Sequence, residues 1–75
     1  MKTRLPSVKN REVIAALQRA GFVVKNVRGG HKVLSNGRVS VSVSHGAGDV
    51  PFSTLRRILR SANMTAEEFE QLRKG

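Results

Sequence analysis

His31-Lys32-Val33-Leu34-Ser35, then Asn36-Gly37, then Arg38-Val39-Ser40-Val41-Ser42-Val43-Ser44 is the stretch on which the fold of this chain turns. Two strand-like runs flank a dipeptide that tolerates positive φ at both positions, the composition of a two-residue type I′ hairpin loop. In the second run Val39, Val41 and Val43 alternate with Ser40, Ser42 and Ser44 without a break. One face of that strand is apolar and the other is a stripe of hydroxyls. A two-residue loop sets Ser35 opposite Arg38, Leu34 opposite Val39, Lys32 opposite Val41 and His31 opposite Ser42. Cross-strand partners share a face. His31 is therefore expected beside Val33, Ser40 and Ser42, pointing to solvent, while helices cover the face of Leu34, Val39 and Val41.

Upstream, a helix is predicted from Asn10, an N-cap residue with Glu12 in the first turn, to Ala20-Gly21, where Gly21 suits the C′ position. Val13, Ile14 and Leu17 share its apolar face. Phe22 to Arg28 reads as a strand whose inward phase is ambiguous, because Phe22, Val23 and Val24 run together. Gly29-Gly30 then makes a turn or bulge. Downstream, His45 to Val50 is a glycine-rich connection, and a second helix opens near Pro51 with Leu55, Ile58, Leu59 and Ala62 as its apolar stripe. Thr65-Ala66-Glu67-Glu68 has the form of a capping box and starts a short C-terminal helix carrying Phe69 and Leu72. The fold class is α+β: an α-β-β-β-α order with a three-stranded antiparallel sheet, helices on one face and a short C-terminal helix. This order is shared with double-stranded-RNA-binding domains. A chain of 75 residues, 1–75, makes one domain with one modest core.

Charge narrows the function classes. Fourteen Lys and Arg against five Asp and Glu give a formal net charge of +9. Residues 64–75 hold three glutamates against Arg73 and Lys74, so the other 63 residues carry +10. A surface of this kind attracts polyanions, and a nucleic acid or an acidic protein is the natural partner. Cysteine is absent, which excludes thiolate nucleophiles, disulfides and cysteine zinc sites. The two histidines and five acids show no metal-ligand spacing, so neither a metal nor any other cofactor is expected. No segment is long and apolar enough to span a membrane, and Met1 to Asn10 lacks the apolar run of a secretory leader, so a cytoplasmic location is the default. Tyr and Trp are absent and the three phenylalanines are scattered, which argues against an aromatic platform for stacking bases.

The residues that could carry chemistry cluster in the middle. His31 follows Gly29-Gly30 and is flanked by Arg28 and Lys32. Histidine exchanges protons near neutral pH, and the cations would hold a phosphate beside it. A lone histidine near a turn is commonly an ordinary surface residue, and on the residues alone that reading leads; the exposed strand face and the adjacent cations suggest RNA chemistry, or at least RNA binding, as the alternative. Gly29 and Gly30 serve a turn that needs positive φ, and their bare backbone would also admit a phosphate to N–H donors. His45 is either a second proton carrier or, the preferred reading, a loop residue that hydrogen-bonds backbone and fixes the entry to the second helix. Arg56, Arg57 and Arg60 form a solvated helix face that could meet an RNA backbone or a protein partner. The serine stripe is ordinary for a solvated sheet face.

Several pieces, in order, resemble the HicA family, the small toxins of HicA–HicB toxin–antitoxin systems. They are Lys9-x-x-Glu12-Val13-Ile14, Ala20-Gly21-Phe22, Arg28-Gly29-x-His31, the Asn36-Gly37 turn, His45-x-x-x-Asp49-x-Pro51 and Thr54-Leu55-x-x-Ile58-Leu59. Together they run from about Lys9 to Leu72. The resemblance implies a double-stranded-RNA-binding-domain-like fold and a metal-independent endoribonuclease acting on mRNA, neutralised by a HicB-type antitoxin. It places the catalytic histidine at His31. Gly30 stands where the family often has serine, and Lys32 where a second histidine is common; if that serine helps position phosphate, activity here is weaker or differently tuned. Two rival classes stay open. One is a non-catalytic module that binds double-stranded RNA, although Phe52-Ser53-Thr54-Leu55-Arg56-Arg57 lacks the lysine cluster usual there. The other is a protein that only sits in a complex with an acidic partner, cleavage having been lost through Gly30.

Overall fold

A computed structural model describes residues 8–46 and 48–74. The leader reading of Met1 to Asn10, the glycine-rich connection from His45 to Val50 and the one-domain span 1–75 each extend onto residues 1–7, 47 or 75, which lie outside the described residues. The elements are β1 (Val8–Lys9), α1 (Asn10–Arg19), β2 (Val23–Arg28), β3 (His31–Ser35), β4 (Ser40–Ser44), β5 (Asp49–Val50), α2 (Phe52–Ser61) and α3 (Ala66–Lys74). Strands β2, β3 and β4 form one antiparallel sheet in that order, and β1 pairs with β5 in a separate two-residue ladder, Val8 opposite Val50 and Lys9 opposite Asp49. The α-β-β-β-α order is as the sequence predicts. The β1–β5 ladder is additional, because two-residue strands carry no detectable periodicity.

Four helix ends have a local cause. At the start of α1 the expectation was off by one residue. Lys9 is the N-cap, its N–H donating to Glu12 Oε1 at 3.0 Å, and Asn10 is the first helical residue. The Asn10 side chain reaches outward, its Nδ2 donating to the Gly46 carbonyl at 2.9 Å. At the other end Gly21 has φ +100, its N–H donates to Gln18 O and the Phe22 N–H donates to Leu17 O, the paired bonds of a Schellman motif. Helix α2 ends in the same way, with Asn63 at φ +59 and the Met64 N–H donating to Leu59 O. The Thr65 box is formed in both directions: Thr65 N–H donates to Glu68 Oε1 and Glu68 N–H to Thr65 Oγ1.

The core lies between one face of the sheet and the helices. Leu34, Val41 and Val43 from the sheet meet Val13, Ile14 and Leu17 of α1 and Leu55, Ile58 and Leu59 of α2, and Phe22 and Phe69 are buried in the same cluster. Helix α3 docks on α1 through polar clamps as well as Phe69. Arg19 donates to the Leu72 carbonyl at 2.6 Å, and Arg73 pairs with Glu70 at 2.8 Å and reaches Glu12 at 3.9 Å. The hydrogen bond to Glu70 is the main reason the Arg73 guanidinium is held above its ordinary range.

The hairpin register corrects the two-residue-loop expectation. Ser35 faces Ser40, Leu34 faces Val41, Val33 faces Ser42, Lys32 faces Val43 and His31 faces Ser44. The loop is therefore Asn36 to Val39, and β4 starts at Ser40 rather than Arg38. Asn36 is the cause. Its Oδ1 accepts from the Arg38 and Val39 N–H groups, both at 2.9 Å, so the side chain caps a wider turn that leaves only Gly37, φ +91, in the left-handed region. A slip of two residues keeps every side chain on its predicted face, because the strand repeat is two.

Candidate functional site

The face of the sheet away from the helices carries three cross-strand rows. The end row is Arg28, His31 and Ser44; the middle row is Asn26, Val33 and Ser42; the last is Val23, Ser35 and Ser40. All but Val33 and Ser35 are exposed, and those two are half-buried. Val23 to Ser44 includes no acidic residue, against Lys25, Arg28, Lys32 and Arg38. An imidazole and a guanidinium thus stand side by side at the edge of a cationic, hydroxyl-rich surface, an arrangement suited to holding an anion next to a proton-exchanging group.

Arg28 and His31 are paired across a two-residue turn, Gly29-Gly30. Gly29 has φ +56 and Gly30 is not in the left-handed region, the pattern of a type II′ turn, which takes glycine first. A β-carbon on Gly30 would meet no atom within 4 Å, so the outer side of the turn is open. His45 lies against this turn from the end of β4. Its N–H donates to the Gly30 carbonyl at 3.0 Å, and its ring Nε2 is 3.1 Å from the Gly29 carbonyl. Backbone bonding by His45 is the preferred sequence reading, realised here on the glycine turn. Asn10, through Gly46, ties α1 to the residue after it.

The remaining predicted residues are not all brought together. Lys32 is adjacent to His31 in sequence but pairs with Val27 and Val43, so strand alternation puts it on the opposite face, where it is half-buried. Arg56 and Arg57 sit on α2, in the layer on that opposite side of the sheet. There the Arg56 guanidinium lies over the Phe52 ring at 5.9 Å, and both arginines line a cleft of about 570 Å³ with Arg60 and Met64. Ser44, the direct partner of His31, was missed because the shorter loop put Ser42 in its place; the signal was the capacity of Asn36 to cap the backbone two and three residues on. Among the described residues no three His, Asp or Glu side chains converge as a metal site, and no helix is long and apolar enough to cross a membrane.

Residues 11–64 match the model of the family described as HicA toxin of bacterial toxin–antitoxin. No curated protein matches the chain.

Proposed function

The chain belongs to the HicA toxin family, and from that premise we propose that it is a metal-independent endoribonuclease that cleaves mRNA and is neutralised by a HicB-type antitoxin in the cytoplasm. The observation that carries this reading is the Arg28–His31 pair on the open sheet face, across a glycine turn. RNA brings its own nucleophile, the ribose 2′-hydroxyl, so the protein must supply proton transfer and charge neutralisation. His31 takes the 2′-hydroxyl proton, or in its protonated form gives one to the departing 5′-oxygen. The 2′-oxygen bonds to the adjacent phosphorus as the bond to the 5′-oxygen breaks, leaving a 2′,3′-cyclic phosphate and a 5′-hydroxyl. Arg28 and the Gly29-Gly30 backbone hold the phosphate. Lys32, on the other face, contributes at longer range, and His45 acts at the back of the turn. Arg56 and Arg57 extend the cationic surface on the helical layer, along which the same RNA or the antitoxin would run.

The test is incubation of the partner-free protein with a long RNA in EDTA, beside His31→Ala, followed by analysis of fragment ends. Cleavage by the parent alone with cyclic-phosphate ends supports the reading. Equal cleavage by a folded His31→Ala protein defeats it. Binding without cleavage would favour the non-catalytic RNA-binding module, whose α-β-β-β-α order this chain shares.

A further inference from the structure

The bond between the His45 ring and the Gly29 carbonyl has a consequence beyond support of a loop. A carbonyl oxygen only accepts, so at 3.1 Å it is the Nε2 of His45 that carries the proton. In the neutral ring Nδ1 is then the acceptor, which makes Nε2 unavailable as a base. The acceptor belongs to the central peptide of the Gly29-Gly30 turn. Type I′ and II′ turns share a positive φ at the first central residue and differ in the orientation of that peptide. With glycine at both positions no β-carbon opposes a flip between them. His45 holds one end of the peptide, and across a trans peptide the N–H points away from the carbonyl. His45 follows exposed Ser44, the partner of His31, so alternation sets it on the helical side. The Gly30 N–H, which has no acceptor among the described residues, is thereby directed to the side of Arg28 and His31.

We infer that His45 is a positioning residue: it latches the central peptide of the Gly29-Gly30 turn so that the Gly30 N–H donates to the phosphate that His31 acts on. The inference rests on the RNA-cleavage reading. It assigns His45 no proton transfer and no direct contact with RNA. The latch also supplies, from backbone, a phosphate donor at position 30, which has no side chain.

His45→Ala and His45→Gln, both checked for folding by thermal melting, test it together with the parent. A fixed backbone donor to a developing oxyanion is worth on the order of 10²-fold in rate, so His45→Ala should lower kcat by about that factor. Its KM should stay within about threefold, because the donor acts on transition-state charge. The shape of the pH–rate profile should not change, and the amide donor of His45→Gln should recover most of the loss. Independently of any RNA, the amide resonance of Gly30 should be single in the parent, with His45 in the Nε2–H tautomer, and doubled or broadened in His45→Ala. An unchanged kcat, loss of one limb of the pH profile, or an unchanged Gly30 amide would each overturn the latch. A parent that cleaves no RNA while the Gly30 amide still answers to His45 would overturn the cleavage reading and the catalytic part of this inference, leaving the hydrogen bond as a purely structural one.

Discussion

Arg28 and His31 are cross-strand partners separated by a two-glycine turn, so cation and imidazole leave the sheet on the same face at its very end. The pairing follows from turn length. Two loop residues put the flanking residues directly opposite one another, and opposite residues share a face. A loop one residue longer would have set the guanidinium and the ring on different sides or out of register. The site is therefore as sensitive to the geometry of Gly29 as to the identity of the side chains around it.

The two glycines should respond differently to substitution. Gly29→Ala puts a β-carbon on a residue at φ +56, at a cost of about 1–2 kcal/mol. Gly30→Ser meets open space at a residue outside the left-handed region, and should leave stability within about 0.5 kcal/mol of the parent. Urea unfolding of both proteins checks the order; equal losses would contradict the turn described here.

The corrected hairpin register assigns adjacent residues of β3 to opposite environments. Leu34 is fully buried against Val41 and its neighbours, so Leu34→Ala should cost about 2–5 kcal/mol. Val33, half-buried on the open face, should lose less than about 1.5 kcal/mol as Val33→Ala. Paired denaturation curves measure this, and a reversed order would mean the strand is flipped.

Among the described residues Asn10 is the buried polar one, 7% exposed, and it spans from α1 to the Gly46 carbonyl. Truncation as Asn10→Ala removes that bond and should destabilise the protein by about 1–3 kcal/mol. Faster amide exchange in the segment from His45 to Gly46, ahead of the rest of β4, should accompany the loss.

RNA binding should weaken steeply with salt, as it does when cations displace the counterions of phosphates. Arg28→Ala should reduce the slope of log K against log salt by about one. Lys32→Ala, on the other face, should change it less. Titrations of a fluorescent RNA at several salt concentrations compare them. Equal effects would mean that RNA wraps around the end of the sheet.

Most of the architecture was legible because its signals are local and periodic. The valine–serine alternation marked β4 and its faces, the Thr65 box marked the start of α3, and the stripe of Leu55, Ile58, Leu59 and Ala62 marked the buried side of α2. The capacity of His31 to face solvent was equally readable, since face depends only on whether a register shift is odd or even. The length of the hairpin loop was not, because Asn36-Gly37 is compatible with a two-residue turn and with a longer one capped by the Asn36 side chain.

The sequence by itself determined the α-β-β-β-α order of the longer elements, the cationic sheet without acids, and the placing of a histidine beside a glycine turn. These depend on composition and on repeats of two and 3.6 residues along the chain. Only the tertiary structure decided that Arg28 shares the face of His31, that Ser44 rather than Ser42 stands opposite it, and that the ring of His45 closes on the Gly29 carbonyl. Contacts between residues 16 apart, or between Asn10 and Gly46, depend on how the elements pack against one another. That packing is set by the fit of the whole core, to which no short window of sequence has access.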